Sequence, residues 1–155
     1  MVRKKSWSEK LADSKDLPRV EPINAKMSTR WGTGTIVIPA PKEVDEIMRK
    51  VPEGRVTTIN EIRASLARKH NATIGCPITT GIFARIAAGA AEEQRAKGTD
   101  ITPYWRTLKA RGEINAKYPG GVDGQKRILE KEGHKIALKG KKYFVVDFER
   151  LLAKI

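Results

Sequence analysis

The side chains best suited to chemistry lie in two short segments, 103–106 and 118–121. The first reads Pro-Tyr-Trp-Arg and the second reads Tyr-Pro-Gly-Gly. A phenol has a pKa near 10 and needs an activating base to act as a nucleophile, and an indole donates hydrogen bonds but cannot serve as that base. The aromatic residues therefore favour binding over covalent catalysis. A nucleic-acid base would gain about 1–3 kcal/mol by stacking on one of them.

The single cysteine, Cys76, is the other candidate nucleophile. It precedes Pro77 at a predicted helix start, where the pKa of a thiol is lowered. However, no His, Lys or Arg lies within two residues of it in the sequence, so a small buried apolar side chain is the favoured interpretation. One cysteine cannot form an internal disulfide or a Cys-rich metal site, and it fits a reducing cytoplasm.

His70 and His134 lack the carboxylate spacing of a metal site, so we expect neither metal nor cofactor.

The chain is strongly basic. Its 155 residues include 31 Lys and Arg against 18 Asp and Glu, a formal net charge of +13. Such an excess favours a polyanionic partner, most often nucleic acid, although a basic soluble protein without that partner is the alternative. No predicted helix combines a broad apolar face with a Lys-rich one, and no apolar run reaches the roughly 20 residues that span a bilayer. We therefore expect no membrane association.

The pattern predicts a mainly α (α+β) fold in three parts. Residues 1–40 are predicted to be a basic N-terminal extension that docks on the body through Trp7 and Trp31, with one short strand in 33–39. Residues 41–134 form the main domain. Residues 135–155 form a small β-hairpin, turning at Lys139-Gly140-Lys141, and a short terminal helix.

Helical periodicity and capping signals predict four helices in the main domain. They cover about 42–51, 58–70, 78–96 and 122–132, with a capping box at Thr58 and Glu61 and Pro77 in a first turn. The second and third are consistent with a helix-turn-helix. The third is expected to bury Ile78, Ile82, Phe83 and Ile86. Its opposite face consists of small residues: Thr80, Ala84, Ala87, Ala88 and Ala91. This face either approaches a nucleic-acid backbone or is also buried.

Four motifs in 41–134 resemble, in their order, the DNA-binding domain of O6-alkylguanine-DNA alkyltransferases. They are VPEGRVTTINEI, the small-residue helix, PYWR and YPGGVDGQKRILEKEG, of which the last is the most specific. The resemblance implies a winged-helix-like helix-turn-helix that enters the minor groove of DNA. It also implies a pocket for a flipped guanine, where a cysteine in Pro-Cys-His-Arg takes the alkyl group.

The resemblance places Tyr104 at the position of the nucleophilic cysteine and Trp105 at that of the activating histidine. Alkyl transfer at this position is not expected, because neither side chain replaces the function of a thiolate and its base. The chain instead resembles the alkyltransferase-like proteins, which lack the cysteine. They bind alkylated guanine in duplex DNA and mark it for nucleotide excision repair. Tyr104 departs from their usual Trp or Ala at this position.

The resemblance and the charge pattern together predict two sets of site residues and no catalytic residue. Tyr118 falls on the pocket tyrosine, Glu132 on the acid of the relay, and Arg85, or else Ile78, on the arginine finger that fills the gap left by the flipped base. Lesion-pocket residues are Pro103, Tyr104, Trp105, Arg106, Tyr118, Gly120 and Gly121. DNA-binding residues are Arg55, Thr57, Thr58, Ile59, Thr80, Arg85, Lys109, Arg111, Lys117 and Lys126, and Arg106 is also a candidate phosphate contact.

The sequence therefore predicts a monomeric, non-enzymatic protein that binds double-stranded DNA, recognises alkylated guanine by base flipping and acts in repair, with excision-repair proteins as further partners. Three alternatives remain open. One is a winged-helix regulator without lesion specificity. Another is an alkyltransferase that uses Cys76. The last is an interaction module in which Tyr104 and Trp105 only fill the core.

Overall fold

The computed structural model describes residues 4–98 and 100–155, and within them it shows an α+β protein with six α-helices and three small sheets. The helices are α1 (Trp7–Ala12), α2 (Ala25–Trp31), α3 (Pro41–Arg49), α4 (Ile59–His70), α5 (Pro77–Arg95) and α6 (Gly121–Lys131). The strands are β1 (Arg19–Pro22), β2 (Thr35–Ile38), β3 (Thr57–Thr58), β4 (Ile74–Gly75), β5 (Thr107–Leu108), β6 (Ile136–Lys139) and β7 (Lys142–Val145). Two 3-10 helices cover Tyr104–Arg106 and Phe148–Leu151.

The four predicted helices of the main domain are confirmed, and α4 and α5 begin at the signals that the sequence shows. The hydroxyl of Thr58 accepts the backbone N–H of Glu61 at the start of α4, and Asn71 ends that helix in the left-handed conformation. Pro77 occupies the first turn of α5, where its missing N–H costs nothing. Helices α4 and α5 pack against each other as the predicted pair, joined by a segment that contains β4.

The main core lies between α3, α4 and α5. Helix α3 contributes Val44, Ile47 and Met48, and α4 contributes Ile62 and Leu66, all of them buried. Burying a side chain of this size contributes about 1.5–3 kcal/mol, so these five residues are a large part of the stability of the domain.

The predicted burial of Ile78 and Ile82 in α5 is wrong, whereas Phe83 packs against the main core and the small-residue face is buried, which was one of the two alternatives left open. The small residues Ala84, Ala87 and Ala88 are fully buried against the core, whereas Ile78 and Ile82 are 57% and 51% exposed. Small side chains allow close helix packing, and at Gly89 an added Cβ would lie 2.4 Å from the ring of Trp7. The small-residue face is therefore an internal packing surface and not a surface for DNA.

The C-terminal part has a second core of its own. Leu129 of α6 and Val145 of β7 pack with Val56, Leu108 and Ile114. Strands β6 and β7 form the predicted antiparallel hairpin with a turn at Gly140-Lys141. The predicted terminal helix is present only as the 3-10 helix Phe148–Leu151.

The N-terminal residues pack closely on the main domain. Strand β2 pairs with β1 on one side and with β4 on the other, so this sheet joins residues from both sides of position 40. Helix α1 packs on α5, as the predicted docking of Trp7 requires. In the residues that the structure describes, no helix is long and apolar enough to cross a membrane.

Candidate nucleic-acid interface and aromatic cavity

A cleft of about 290 Å³ lies between the N-terminal half of α5 and the segment 109–117. We call it the basic cleft, and its lining residues are Ile78, Gly81, Ile82, Arg85, Lys109, Asn115 and Lys117. The three cationic side chains are all exposed. Neither Arg85 nor Lys117 forms an ion pair within the described residues, and Lys109 approaches Glu113 only to 3.9 Å. The cleft thus combines exposed apolar side chains with free positive charge.

Backbone hydrogen bonds hold the segment that carries Lys109 and Lys117. The N–H of Lys109 donates to the carbonyl of Glu113 at 2.9 Å, and the N–H of Ile114 donates to the carbonyl of Tyr143 in the hairpin at 2.9 Å. Gln125 of α6, itself buried, donates to the carbonyl of Asn115 at 2.7 Å. These bonds fix the position of this side of the cleft relative to α6 and the hairpin.

Three of the ten predicted DNA-binding residues line the basic cleft: Arg85, Lys109 and Lys117. Arg55 donates to the carbonyl of Arg150 at 3.0 Å, and Arg111 borders a different cavity beside the hairpin. The ammonium of Lys126 lies 5.4 Å from the ring centroid of Tyr143. These three residues are not part of the cleft. Sequence reasoning missed Asn115 and Gly81, which carry no charge or aromatic signal.

The DNA-binding role of Thr57, Thr58 and Thr80 stays a prediction, and their side chains are not exposed to make such a contact. All three are buried. The first two lie in β3, which pairs in parallel with β5, and Thr80 is on the packed face of α5. Ile59 is half-buried and packs against the main core.

The predicted pocket aromatics do come together. The rings of Tyr104 and Trp105 have centroids 5.2 Å apart and meet edge to face, and those of Tyr104 and Tyr118 are 6.0 Å apart in the same arrangement. Such pairs contribute about 0.5–1.5 kcal/mol beyond their burial. Tyr104 and Tyr118 are each only 3% exposed, and Pro103 is buried beside them. The three aromatics therefore form a packed cluster.

Tyr104 donates a short hydrogen bond from its hydroxyl to the carboxylate of Glu92 in α5. Burial, together with this hydrogen bond and the negative charge of Glu92, raises the pKa of Tyr104 well above the usual phenol range. Burial also raises the pKa of Tyr118, an effect that a hydrogen bond with Asn115 partly opposes. Both phenols therefore stay protonated, which makes Tyr104 a poor nucleophile.

Glu132 binds the two residues that follow Tyr104. The indole N–H of Trp105 donates to it at 3.0 Å, and the guanidinium of Arg106 pairs with it at 2.7 Å. Arg106 also donates to the carbonyl of Val51 at 2.8 Å. The guanidinium of Arg106 is largely buried and already bonded, so little of it is left for the predicted phosphate contact.

A second cavity, of about 270 Å³, opens beside this cluster. We call it the aromatic cavity, and its lining residues are Glu92, Arg95, Tyr104, Pro119, Gly120, Gly124 and Ile128. Only Tyr104 and Gly120 of the predicted pocket residues line it. Gly120 and Gly121 both have positive φ, at 82° and 63°, which only glycine adopts without strain, and they turn the chain into α6. Glu92 and Arg95 were not predicted as pocket residues, because they belong to α5 and lie outside the two segments 103–106 and 118–121.

Cys76 is buried at the start of α5. It is 7% exposed, and its sulfur accepts the backbone N–H of Thr79 at 3.5 Å. The sulfur thus serves as the N-cap of the helix. It does not line either the basic cleft or the aromatic cavity.

Comparison with known proteins finds similar solved structures. One is the crystal structure of S. pombe Atl1 in complex with damaged DNA containing O6-carboxymethylguanine, at 20% identity and a TM-score of 0.46. Another is the crystal structure of S. pombe ATL in complex with DNA, at 21% identity and a TM-score of 0.47. Each match covers 74% of this chain and 94% of the other. No protein-family model and no curated protein sequence matches the chain.

Proposed function

We propose that this protein binds double-stranded DNA without catalysis, recognises alkylated guanine of the O6-alkyl type, and acts in DNA repair. The observation that supports this most is the basic cleft. Exposed cationic side chains at Arg85, Lys109 and Lys117 suit the phosphates on both sides of a groove. The exposed Ile78 and Ile82 suit the floor of a minor groove, where proteins commonly insert apolar side chains.

The aromatic cavity is the proposed site for an extruded base. Tyr104 lines it together with Pro119 and Gly120. Stacking of about 1–3 kcal/mol would offset an unstacking cost of a few kcal/mol, which is lower for a damaged base. Discrimination should therefore be modest, on the order of tenfold, or about 1.4 kcal/mol.

Three features support a binding role without alkyl transfer. Tyr104 stands where an alkyltransferase would need a thiolate, and its raised pKa keeps it protonated. Trp105 donates a hydrogen bond to Glu132 but has no basic nitrogen that could accept a proton. Cys76 caps a helix away from both cavities. A protein of this kind would mark a lesion for other repair proteins.

The test compares two duplexes that differ at one base, guanine or O6-methylguanine, by fluorescence anisotropy over a range of salt concentrations. We expect tighter binding of the alkylated duplex and an affinity that falls linearly with salt on logarithmic axes. Arg85→Gln should weaken binding of both duplexes. Equal weakening by Lys26→Gln, on the surface of α2, would contradict the assignment of the cleft.

A labelled O6-methyl group tests the claim that no alkyl group is transferred. We expect the label to remain on the DNA. Label on the protein that disappears in Cys76→Ala would instead establish a Cys76-dependent enzyme.

A second candidate function is duplex binding without lesion preference, as in a regulator. The burial of Tyr104 and Tyr118 favours it, because a base can stack broadly on these rings only if the cluster opens. Equal affinity for the plain and alkylated duplexes at every salt concentration would support this candidate over lesion recognition.

A further inference from the structure

Helix α1 lies on α5 next to the basic cleft. The ring of Trp7 covers Gly89, where a Cβ atom would lie 2.4 Å from the indole. Any larger residue at position 89 would push the indole away. The absence of a side chain there is thus the feature of α5 that admits α1.

The first turn of α1 is also bound by polar contacts from α5. Glu93 accepts the backbone N–H groups of Trp7 and Ser8 at 3.2 and 2.7 Å. Gln94 donates to the hydroxyl of Ser8 at 3.3 Å. Burial would raise the pKa of Glu93, but the hydrogen bonds from Ser8 and Trp7 outweigh it and lower that pKa. The carboxylate therefore remains charged at neutral pH and keeps α1 in place.

The docked Trp7 brings two cations together. The ammonium of Lys10 lies 4.6 Å from its ring centroid, and the guanidinium of Arg85 lies 5.9 Å from it. Arg85 is the residue of α5 that also lines the basic cleft. Lys10 of α1 thus adds a positive charge near Arg85 of the cleft.

Neither Lys10 nor Arg85 pairs with an acid in the part of the chain that the structure describes. Trp7 is half-buried, and the face of its ring attracts both cations. The arrangement leaves both charges available to a polyanion.

We propose that α1 is part of the DNA-binding surface, with Lys10 contacting a phosphate beside the one bound by Arg85. This inference depends on the proposed DNA binding and extends its interface to the N-terminal segment. Trp7 is the platform that holds both cations at the required position.

The experiment measures the affinity of the full chain for one plain duplex against salt concentration. The variants are Lys10→Gln, Arg85→Gln, the double variant and the control Lys26→Gln. Each lost phosphate contact reduces the magnitude of the logarithmic salt slope by about 0.9, which is about an eightfold loss of affinity at 0.1 M salt. We expect this loss for each single variant, twice the change in slope for the double variant, and almost no change for the control.

Thermal melting separates this role from a structural one. A lysine that only helps α1 to pack would lower the melting temperature of Lys10→Gln and leave the salt slope unchanged, which would overturn the proposal. A slope change as large in Lys26→Gln would also overturn it, since the effect would then reflect net charge alone. Absence of binding by the unmodified protein would overturn the proposed function itself.

Discussion

The basic cleft and the aromatic cavity lie along the same helix, α5, and differ in how their charges are paired. Around the aromatic cavity, Arg95 pairs with Glu92 at 3.1 Å, and Arg106 pairs with Glu132 at 2.7 Å. In the cleft, the nearest ion pair is that of Lys109 with Glu113, at 3.9 Å. Cations paired internally stabilise the fold, whereas unpaired ones remain available to an external anion. Substitutions in the two regions should therefore change different properties.

The largest effect is expected from Arg106→Ala. It leaves the buried carboxylate of Glu132 without its cation, which typically costs about 3–5 kcal/mol of unfolding free energy. Denaturant melts measure this loss, and the salt slope of DNA binding should not change. The double variant Arg106→Met/Glu132→Met should recover part of the stability, because it removes both charges. A loss of DNA affinity with normal stability would place Arg106 in the interface after all.

A smaller effect on stability is expected from Tyr104→Phe. The substitution removes the hydroxyl that donates to Glu92 and keeps the ring contacts with Trp105 and Tyr118. A hydrogen bond to a charged group contributes about 1.5–3 kcal/mol, and we expect the lower end because Glu92 keeps Arg95 as a partner. The melting temperature should fall by a few degrees. An increased melting temperature would indicate that the phenol is strained in its site.

The reverse pattern is expected from Lys117→Gln in the basic cleft. It should reduce the salt slope of DNA binding by about one and change the free energy of unfolding by no more than about 0.5 kcal/mol. Anisotropy titrations and denaturant melts on the same samples measure both properties. Unchanged salt dependence would exclude Lys117 from the interface and weaken the distinction between the two regions.

The smallest effect is expected from His134, whose protonation makes the free energy of unfolding depend on pH. Burial lowers the pKa of His134, an effect that the charge of Glu132 opposes and that of Arg106 adds to. The folded state therefore binds a proton less readily than the unfolded chain, whose histidine titrates near pH 6.5. The free energy of unfolding should fall as the pH drops below about 6.5. His134→Gln should flatten this dependence between pH 5.5 and 7.5, and an identical slope in the variant would exclude His134 as its source.

Local signals accounted for much of the fold. Thr58, Pro77 and Asn71 act within one turn of their own helix ends, so their roles can be read without knowing the tertiary contacts. The hairpin turn at Gly140 is local in the same way. Helix α1 was missed because six residues do not form a stable helix alone, and its position depends on Gly89 and Glu93, more than 70 residues away.

The buried face of α5 could not be decided from periodicity. Both faces of this helix are apolar, one with isoleucines and the other with alanines, so the pattern is compatible with either orientation. The shape of the surrounding helices selected the small residues for burial. That choice also exposed Ile78 and Ile82 beside Arg85 and created the cleft.

The sequence by itself determined the chemistry that is present: a large excess of positive charge, a phenol and an indole side by side, and one cysteine. Only the tertiary structure decided which charges are free. Arg85 and Arg106 are identical residues in the sequence, but Arg106 meets Glu132 in the folded chain and Arg85 meets the ring of Trp7. The physical reason is that the partner of a charge is set by distance in space, and folding brings together residues that are far apart along the chain.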